Sequence, residues 1–181
     1  YNFSDNHDVD RLPEKLRQPA HIRHIAILVY TLWGVPSIYY GSEFGIHGKK
    51  ERGSDWPLRP CLELADYADA VQSNPVTSVY AALGKLKAQL PVLSEGEPKE
   101  LLLTTQHYAF ARVLDGEAVV AVLNNSDQEA RLEFGLPVEA AGAQDLLADC
   151  CGAQPVELAV EWGRMRVCLP PNYATLLRLT R

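Results

Sequence analysis

Asp5, His7, Asp8, Asp10 and Arg11 crowd the start of the chain, in the run Phe3-Ser4-Asp5-Asn6-His7-Asp8 followed by Val9-Asp10-Arg11. Three carboxylates, an imidazole and a guanidinium within seven residues are the side-chain types of acid–base, metal-ligating and polar-ligand sites. An unpaired charge buried in a core costs on the order of several kcal/mol, comparable to what holds a domain together. The cluster therefore belongs at a strand end, facing water or a ligand. A metal reading starts from Asp5, His7 and Asp8. No second His follows at a spacing that closes a site, and His21 and His24 fall on a helix away from this rim. The chain opens at the cluster without an initiator Met, which raises the expectation that it is the tail of a longer protein.

The elements that must position the cluster read as follows. A strand over roughly residues 1–5 enters it. Pro13 suits a first helical turn and Glu14 adds a favourable N-terminal charge, so a helix is expected from Glu14 to Trp33. Ile25, Leu28, Val29 and Leu32 form its stripe, widened by Ile22, Ala26 and Trp33, with Gly34 as the C-cap and Pro36 forbidding continuation. Val35 to Tyr40 reads as a short apolar strand, so strand, helix and strand make a βαβ unit with parallel pairing. A long loop from Gly41 to about Asn74 follows, and in α/β folds such loops emerge beside the site at the strands' carboxyl ends. A second helix starts at Asn74-Pro75, carries Val76, Val79, Tyr80, Leu83, Leu86 and Leu90 on its apolar face, and ends at Pro91.

From about Leu101 the pattern changes to short runs: Tyr108–Leu114, Glu117–Leu123, Ala130–Phe134, Arg164–Leu169 and Ala174–Leu179. Asp115-Gly116 is a hairpin signal, and the other turn residues fit an antiparallel sandwich. A domain boundary is placed near residues 92–100, and no internal repeat is visible.

The 181 residues are 47% apolar with a formal net charge of −6, which argues against nucleic acid as the main partner. The longest apolar run, Ile25–Trp33, falls short of the ~20 residues needed to span a bilayer, so no membrane is expected. Cys61, Cys150, Cys151 and Cys168 form no C-x-x-C pair; they read as reduced thiols, which favours a cytoplasmic location.

Together these features resemble the alpha-amylase family of glycoside hydrolases (family 13). Phe3-Ser4-Asp5-Asn6-His7-Asp8 with Arg11 is similar to that family's signature at the end of the seventh strand of a (β/α)8 TIM barrel. Gly34-Val35-Pro36-Ser37-Ile38-Tyr39-Tyr40-Gly41-Ser42-Glu43 is similar to the eighth-strand signature, and Gly53-Ser54-Asp55-Trp56-Pro57-Leu58-Arg59-Pro60 to the Asp-x-x-x-Arg element after it. The resemblance implies an α/β plus all-β chain. Residues 1–95 would be the seventh and eighth βα units of the catalytic barrel, and residues 96–181 an antiparallel β-sandwich C-terminal domain. It implies retaining chemistry on α-1,4-glucosidic bonds of an α-glucan or maltooligosaccharide. The family's Asp nucleophile and Glu acid/base lie on the fourth and fifth strands, neither of which is in this chain. The missing N-terminal barrel segments are thus implied partners, the chain alone is expected to be inactive, and any calcium of the parent would be held outside it. Two parallel strands without their barrel neighbours are further expected to leave residues 1–75 prone to self-association or partial disorder.

Retaining chemistry needs two carboxyl groups about 5–5.5 Å apart. Asp5 and Asp8 stand three residues apart, ~10 Å along an extended strand and on opposite faces, so they do not make a self-sufficient pair. By the resemblance, Asp8 is the third carboxylate, stabilising the transition state, and His7 donates to a sugar hydroxyl; the alternative for Asp8 is an ion pair with Arg11. Asn6, Asp55, Trp56 and Arg59 are the substrate-binding candidates. For Asp55 and Arg59 the alternative is a pair tying down the loop, for Trp56 a loop anchor. Asp5 and Asn6 are also expected to hydrogen-bond the turn, Tyr39 and Tyr40 to pack, and Glu43 to buttress the eighth strand's end. Lys49, Lys50, Glu51 and Arg52 read as a solvated loop face, with tuning of outer subsites as its functional alternative, and Ser42 replaces a commoner Asp. A non-catalytic carbohydrate-binding or scaffold module remains the alternative function, although the β domain shows no clear run of exposed aromatics.

Overall fold

The computed structural model describes residues 1–181. Five helices, α1 (Leu12–Lys15), α2 (His21–Thr31), α3 (Ala70–Ser73), α4 (Pro75–Gln89) and α5 (Pro91–Glu95), precede eight strands. The strands are β1 (Glu97–Leu103), β2 (His107–Leu114), β3 (Glu117–Asn124), β4 (Ala130–Gly135), β5 (Gly142–Asp145), β6 (Glu157–Glu161), β7 (Arg164–Leu169) and β8 (Tyr173–Thr180). They form a five-stranded sheet, β1-β2-β3-β8-β5, and a three-stranded sheet, β4-β7-β6, with every pairing antiparallel.

Alternation along the central strands builds three layers. Phe110, Val119, Ala121, Leu123 and Leu176 pack against Ile27 of α2 and Val79 and Leu83 of α4. Their sequence neighbours, among them Ala111, Val120, Val122 and Leu177, pack on the other side against Leu132, Phe134, Met165 and Val167 of the small sheet. Helices cover one face of the large sheet and the small sheet covers the other.

The helix expected from Glu14 to Trp33 is broken into α1 and α2. Pro19 lies between them, lacks an N–H and disfavours the α conformation of Gln18 before it. The helix also ends at Thr31, three residues before Gly34; its C-cap Leu32 is extended. In place of a local cap, Arg112 of β2 donates to the Thr31 carbonyl at 2.8 Å. The two strands expected over 1–5 and 35–40 are reduced to one parallel bridge, Asn2 to Pro36. Asn2 N–H donates to Val35 O at 2.9 Å and Ser37 N–H to Asn2 O at 2.8 Å. The parallel orientation is the one expected. The pairing does not extend beyond this bridge into a ladder. The apolar residues Tyr1, Phe3, Trp33, Val35 and Tyr40 remain exposed beside this bridge.

The helix from Asn74-Pro75 is as expected, with Asn74 Oδ1 accepting from Val76 N at 2.9 Å as an N-cap. The strands expected between residues 108 and 179 are all present, whereas β1, β5 and β6 were not anticipated. All three are sheet edges, where short or polar sequences suffice. No helix is long and apolar enough to cross a membrane.

One contact between layers carries a pH dependence. His24 of α2 is buried and its Nε2 lies 2.9 Å from the Asn124 carbonyl at the end of β3. Burial pushes its pKa down to about 4, partly offset by the Asn124 hydrogen bond and reinforced by the nearby charges of His21 and Arg23. The folded state thus resists a proton that the unfolded chain accepts near its usual 6.5. This stability is fully present above pH ~6.5 and is lost progressively down to about pH 4, amounting to roughly 3 kcal/mol. Urea unfolding across that range should show a steep acid loss in the wild type and a clearly flatter one in His24→Gln. Equal slopes would remove His24 from the explanation.

Candidate functional site

The rim forms where the first polar cluster meets the loop after the parallel bridge. Asp5 is buried, and its carboxylate accepts from Ser4 Oγ (2.9 Å), Ser42 Oγ (2.9 Å) and Leu12 N (3.1 Å). It fixes the turn, as expected, and Ser42 has a defined task as one of its donors. Asn6 Oδ1 accepts from Asp8 N at 2.8 Å, an Asx-turn that presents the Asp8 carboxylate outward. His7 Nε2 lies 3.2 Å from Asp8 Oδ2.

Arg11 does not sit on the rim. The cluster was expected to face water or a ligand, with an Asp8–Arg11 ion pair as the alternative for Asp8; instead Arg11 is fully buried and donates to Tyr40 O (2.8 Å) and Leu58 O (2.7 Å). Its guanidinium lies over the rings of Tyr39 (4.1 Å) and Tyr40 (5.3 Å). Backbone carbonyls and aromatic faces stabilise it without a carboxylate partner. Arg11 N also donates to Gly48 O at 2.8 Å, and a Cβ on Gly48 would lie 2.3 Å from Pro57 O, so the loop can approach this closely only with glycine there. Tyr39 and Tyr40 complete the clamp through their hydroxyls, which donate to Leu58 O (3.3 Å) and Pro60 O (3.0 Å). These contacts bracket Arg59.

The clamp brings Arg59 to the first cluster. Its Nη2 lies 3.2 Å from Asp55 Oδ2, 3.6 Å from Asp8 Oδ1 and 3.5 Å from His7 O. Five of the six sequence candidates, Asn6, His7, Asp8, Asp55 and Arg59, therefore meet in one half-exposed network. The sixth, Trp56, opens the short 3₁₀ turn Trp56–Leu58 and is 79% exposed, which does not suit a loop anchor. Lys50, half-exposed on the face read as solvated, reaches the site. Its Nζ lies 2.9 Å from Asp8 O and 3.4 Å from Asp55 Oδ1, and its N–H donates to Asp10 Oδ1 at 2.6 Å. Charge type alone did not distinguish Arg11 from Lys50, because partners across the loop decide which cation is buried.

Glu43 is tied to α4 through Thr77 Oγ1, which donates to its carbonyl at 2.8 Å, while its Oε2 is buried without a partner. No group of three or more His, Cys, Asp or Glu side chains is arranged to hold a metal ion, and all four cysteines are free. Chemically, the rim offers one outward carboxylate braced by an imidazole and a guanidinium, a second carboxylate on the same guanidinium, and an open indole face. That suits gripping a polyhydroxylated ring.

No family model matches the chain. Among curated proteins it is 26% identical over 180 residues to neopullulanase 2 of Thermoactinomyces vulgaris, covering 98% of this chain and 29% of that protein. It is 32% identical over 112 residues to the alpha-amylase SusG of Bacteroides thetaiotaomicron, covering 50% of this chain and 16% of that protein. The chain is homologous to alpha-amylase family enzymes. In fold it also resembles a solved cyclomaltodextrin glucanotransferase, with a TM-score of 0.78 at 21% identity over 98% of this chain and 36% of that one. The chain spans between 16% and 29% of the length of the first curated relatives it matches.

Proposed function

We propose that the chain is the C-terminal portion of a retaining glycoside hydrolase acting on α-1,4-glucans. In this reading residues 1–95 are the seventh and eighth βα units of a (β/α)8 barrel and residues 96–181 its C-terminal domain. The observation that carries it is the rim, where Asp8, His7, Asp55 and Arg59 are gathered by a loop clamp in a homologue of α-glucan-active enzymes. Asp8 accepts hydrogen bonds from hydroxyls of the sugar at the cleaved bond and stabilises the positive charge that develops on the ring. Its own charge also helps to hold a neighbouring acid protonated. His7 donates to the same sugar, Arg59 and Asp55 shape the adjoining subsite, and Trp56 stacks on a pyranose face. The nucleophile and the acid/base come from barrel segments outside these residues, so the chain alone does not turn substrate over.

Titration with acarbose or maltoheptaose, followed by NMR, tests the grip. The backbone signals of His7, Asp8 and Arg59 should shift saturably; a full titration that leaves them unmoved would sink the assignment. Arg59→Lys gives a graded check. A lysine ammonium cannot serve Asp55, Asp8 and the His7 carbonyl with a planar fork, so affinity for maltooligosaccharides should fall about tenfold. Calorimetry showing unchanged affinity would leave Arg59 as a loop tie only.

A further inference from the structure

Where the first turns of α2 and α4 meet the β domain, they enclose a cavity of about 200 Å³, apart from the rim. Ile22 and Ala26 of α2 and Val76 and Val79 of α4 make its apolar wall. The β domain supplies the opposite wall with Tyr173, which opens β8, and with the turn at Gly152. That turn closes tightly on α4: a Cβ on Gly152 would lie 3.1 Å from the Pro75 ring. Ala20 is exposed and marks the mouth.

Arg23 is the one charged side chain on this lining, and no carboxylate shares the cavity with it. Its Nε donates to Ala174 O at 2.6 Å and its guanidinium lies 4.5 Å over the Tyr173 ring, which fixes its place. Its Nη2 is nevertheless buried without an acceptor. Tyr173 beside it is only 4% exposed, and its hydroxyl accepts from Gln154 N at 3.1 Å, which leaves the hydroxyl's own proton without an acceptor. A buried donor left unpaired costs about 1–3 kcal/mol, and more when it is charged.

These features select the occupant. The guanidinium repels a cation, a neutral hydrocarbon leaves both donors unpaired, and a polyol forfeits the apolar wall. A carboxylate brings one negative charge and two acceptor oxygens, matching one guanidinium and one hydroxyl. An apolar cavity of about 150 Å³ holds a benzene ring, so this one has room for a single ring or short branched chain behind the carboxylate.

We propose that the junction cavity binds a small apolar monocarboxylate, with its charged end on Arg23 and Tyr173 and its body against α2 and α4. The ligand then touches the helices and the β domain together and tightens their junction. This site does not rest on the α-glucan reading.

The test titrates the full 181-residue chain with phenylacetate, and separately with neutral phenylacetamide and cationic phenethylamine, following backbone amide signals by NMR. Phenylacetate should shift Ile22, Arg23, Val79 and Tyr173 saturably at about millimolar concentration and raise the melting temperature. The amide should bind about tenfold more weakly, and the amine should leave these signals unmoved. Arg23→Gln should bind acid and amide alike. Because Arg23 also holds Ala174 O, Ala20→Trp provides a variant that leaves this contact in place. Its indole at the exposed mouth should abolish the phenylacetate shifts while the free chain melts as the wild type does. An amide that binds as tightly as the acid would overturn the proposal. So would shifts that never saturate, or an Ala20→Trp chain that binds phenylacetate undiminished.

Discussion

Asp8→Asn, introduced into the longer enzyme proposed above, should lower kcat on maltooligosaccharides by about 10²–10³-fold with little change in KM. The amide keeps the size of the carboxylate and the Asx-turn from Asn6, so the backbone that presents it is undisturbed. What is lost is the negative charge facing His7 at 3.2 Å and Arg59 at 3.6 Å, which matters most when the sugar becomes cationic. An interaction made chiefly in the transition state lowers kcat and kcat/KM together. Removing the charge also stops it from holding up the pKa of a nearby acid, so the alkaline limb of the kcat profile should move to lower pH. Steady-state rates across pH check both effects. A variant within about threefold of the wild type would show that Asp8 only shapes the turn.

Arg112→Leu is expected to destabilise the fold by about 3–5 kcal/mol, because Arg112 is the buried tie between the helices and the large sheet. Its Nε donates to Gly96 O (2.8 Å), its Nη1 to Thr31 O (2.8 Å) and its Nη2 to Ser94 O (3.3 Å). These carbonyls lie at and beyond the C-terminal ends of α2 and α5, where partial negative charge stabilises a cation. Burial pushes the Arg112 pKa down from its usual value, and three carbonyls with no carboxylate hold the charged form. Leucine fills the space and leaves those carbonyls unpaired. Arg112→Lys reaches fewer of them and should cost about half as much. Urea unfolding measures both, and a loss below about 1 kcal/mol for the leucine variant would contradict this role.

Legibility in the sequence followed locality. The α4 helix could be read because Asn74, Pro75 and an apolar stripe all lie within it. The β2–β3 hairpin could be read because Asp115-Gly116 supplies both positive φ angles (49° and 80°). The break at Pro19 was equally local, but the apolar periodicity on either side concealed it. The edges β1, β5 and β6 could not be read because their stability comes from a neighbour rather than from their own pattern. At the rim the residue types were legible through resemblance, and the structure adds how they meet. Arg59 reaches His7 across 52 positions only because Arg11, buried on Tyr39 and Tyr40, holds the intervening loop. Which of the nearby cations turns inward depends on carbonyls distant in sequence.

The central claim is that this rim holds a sugar whose bond is cut by carboxylates supplied from elsewhere. The decisive measurement is maltodextrin hydrolysis, with the anomeric outcome followed by NMR, by the purified 181-residue chain and by the gene product extended upstream through the proposed barrel. The account predicts no turnover by the chain and retention of configuration by the extended protein, abolished there when its upstream catalytic carboxylates are replaced. Turnover by the 181-residue chain alone would contradict it.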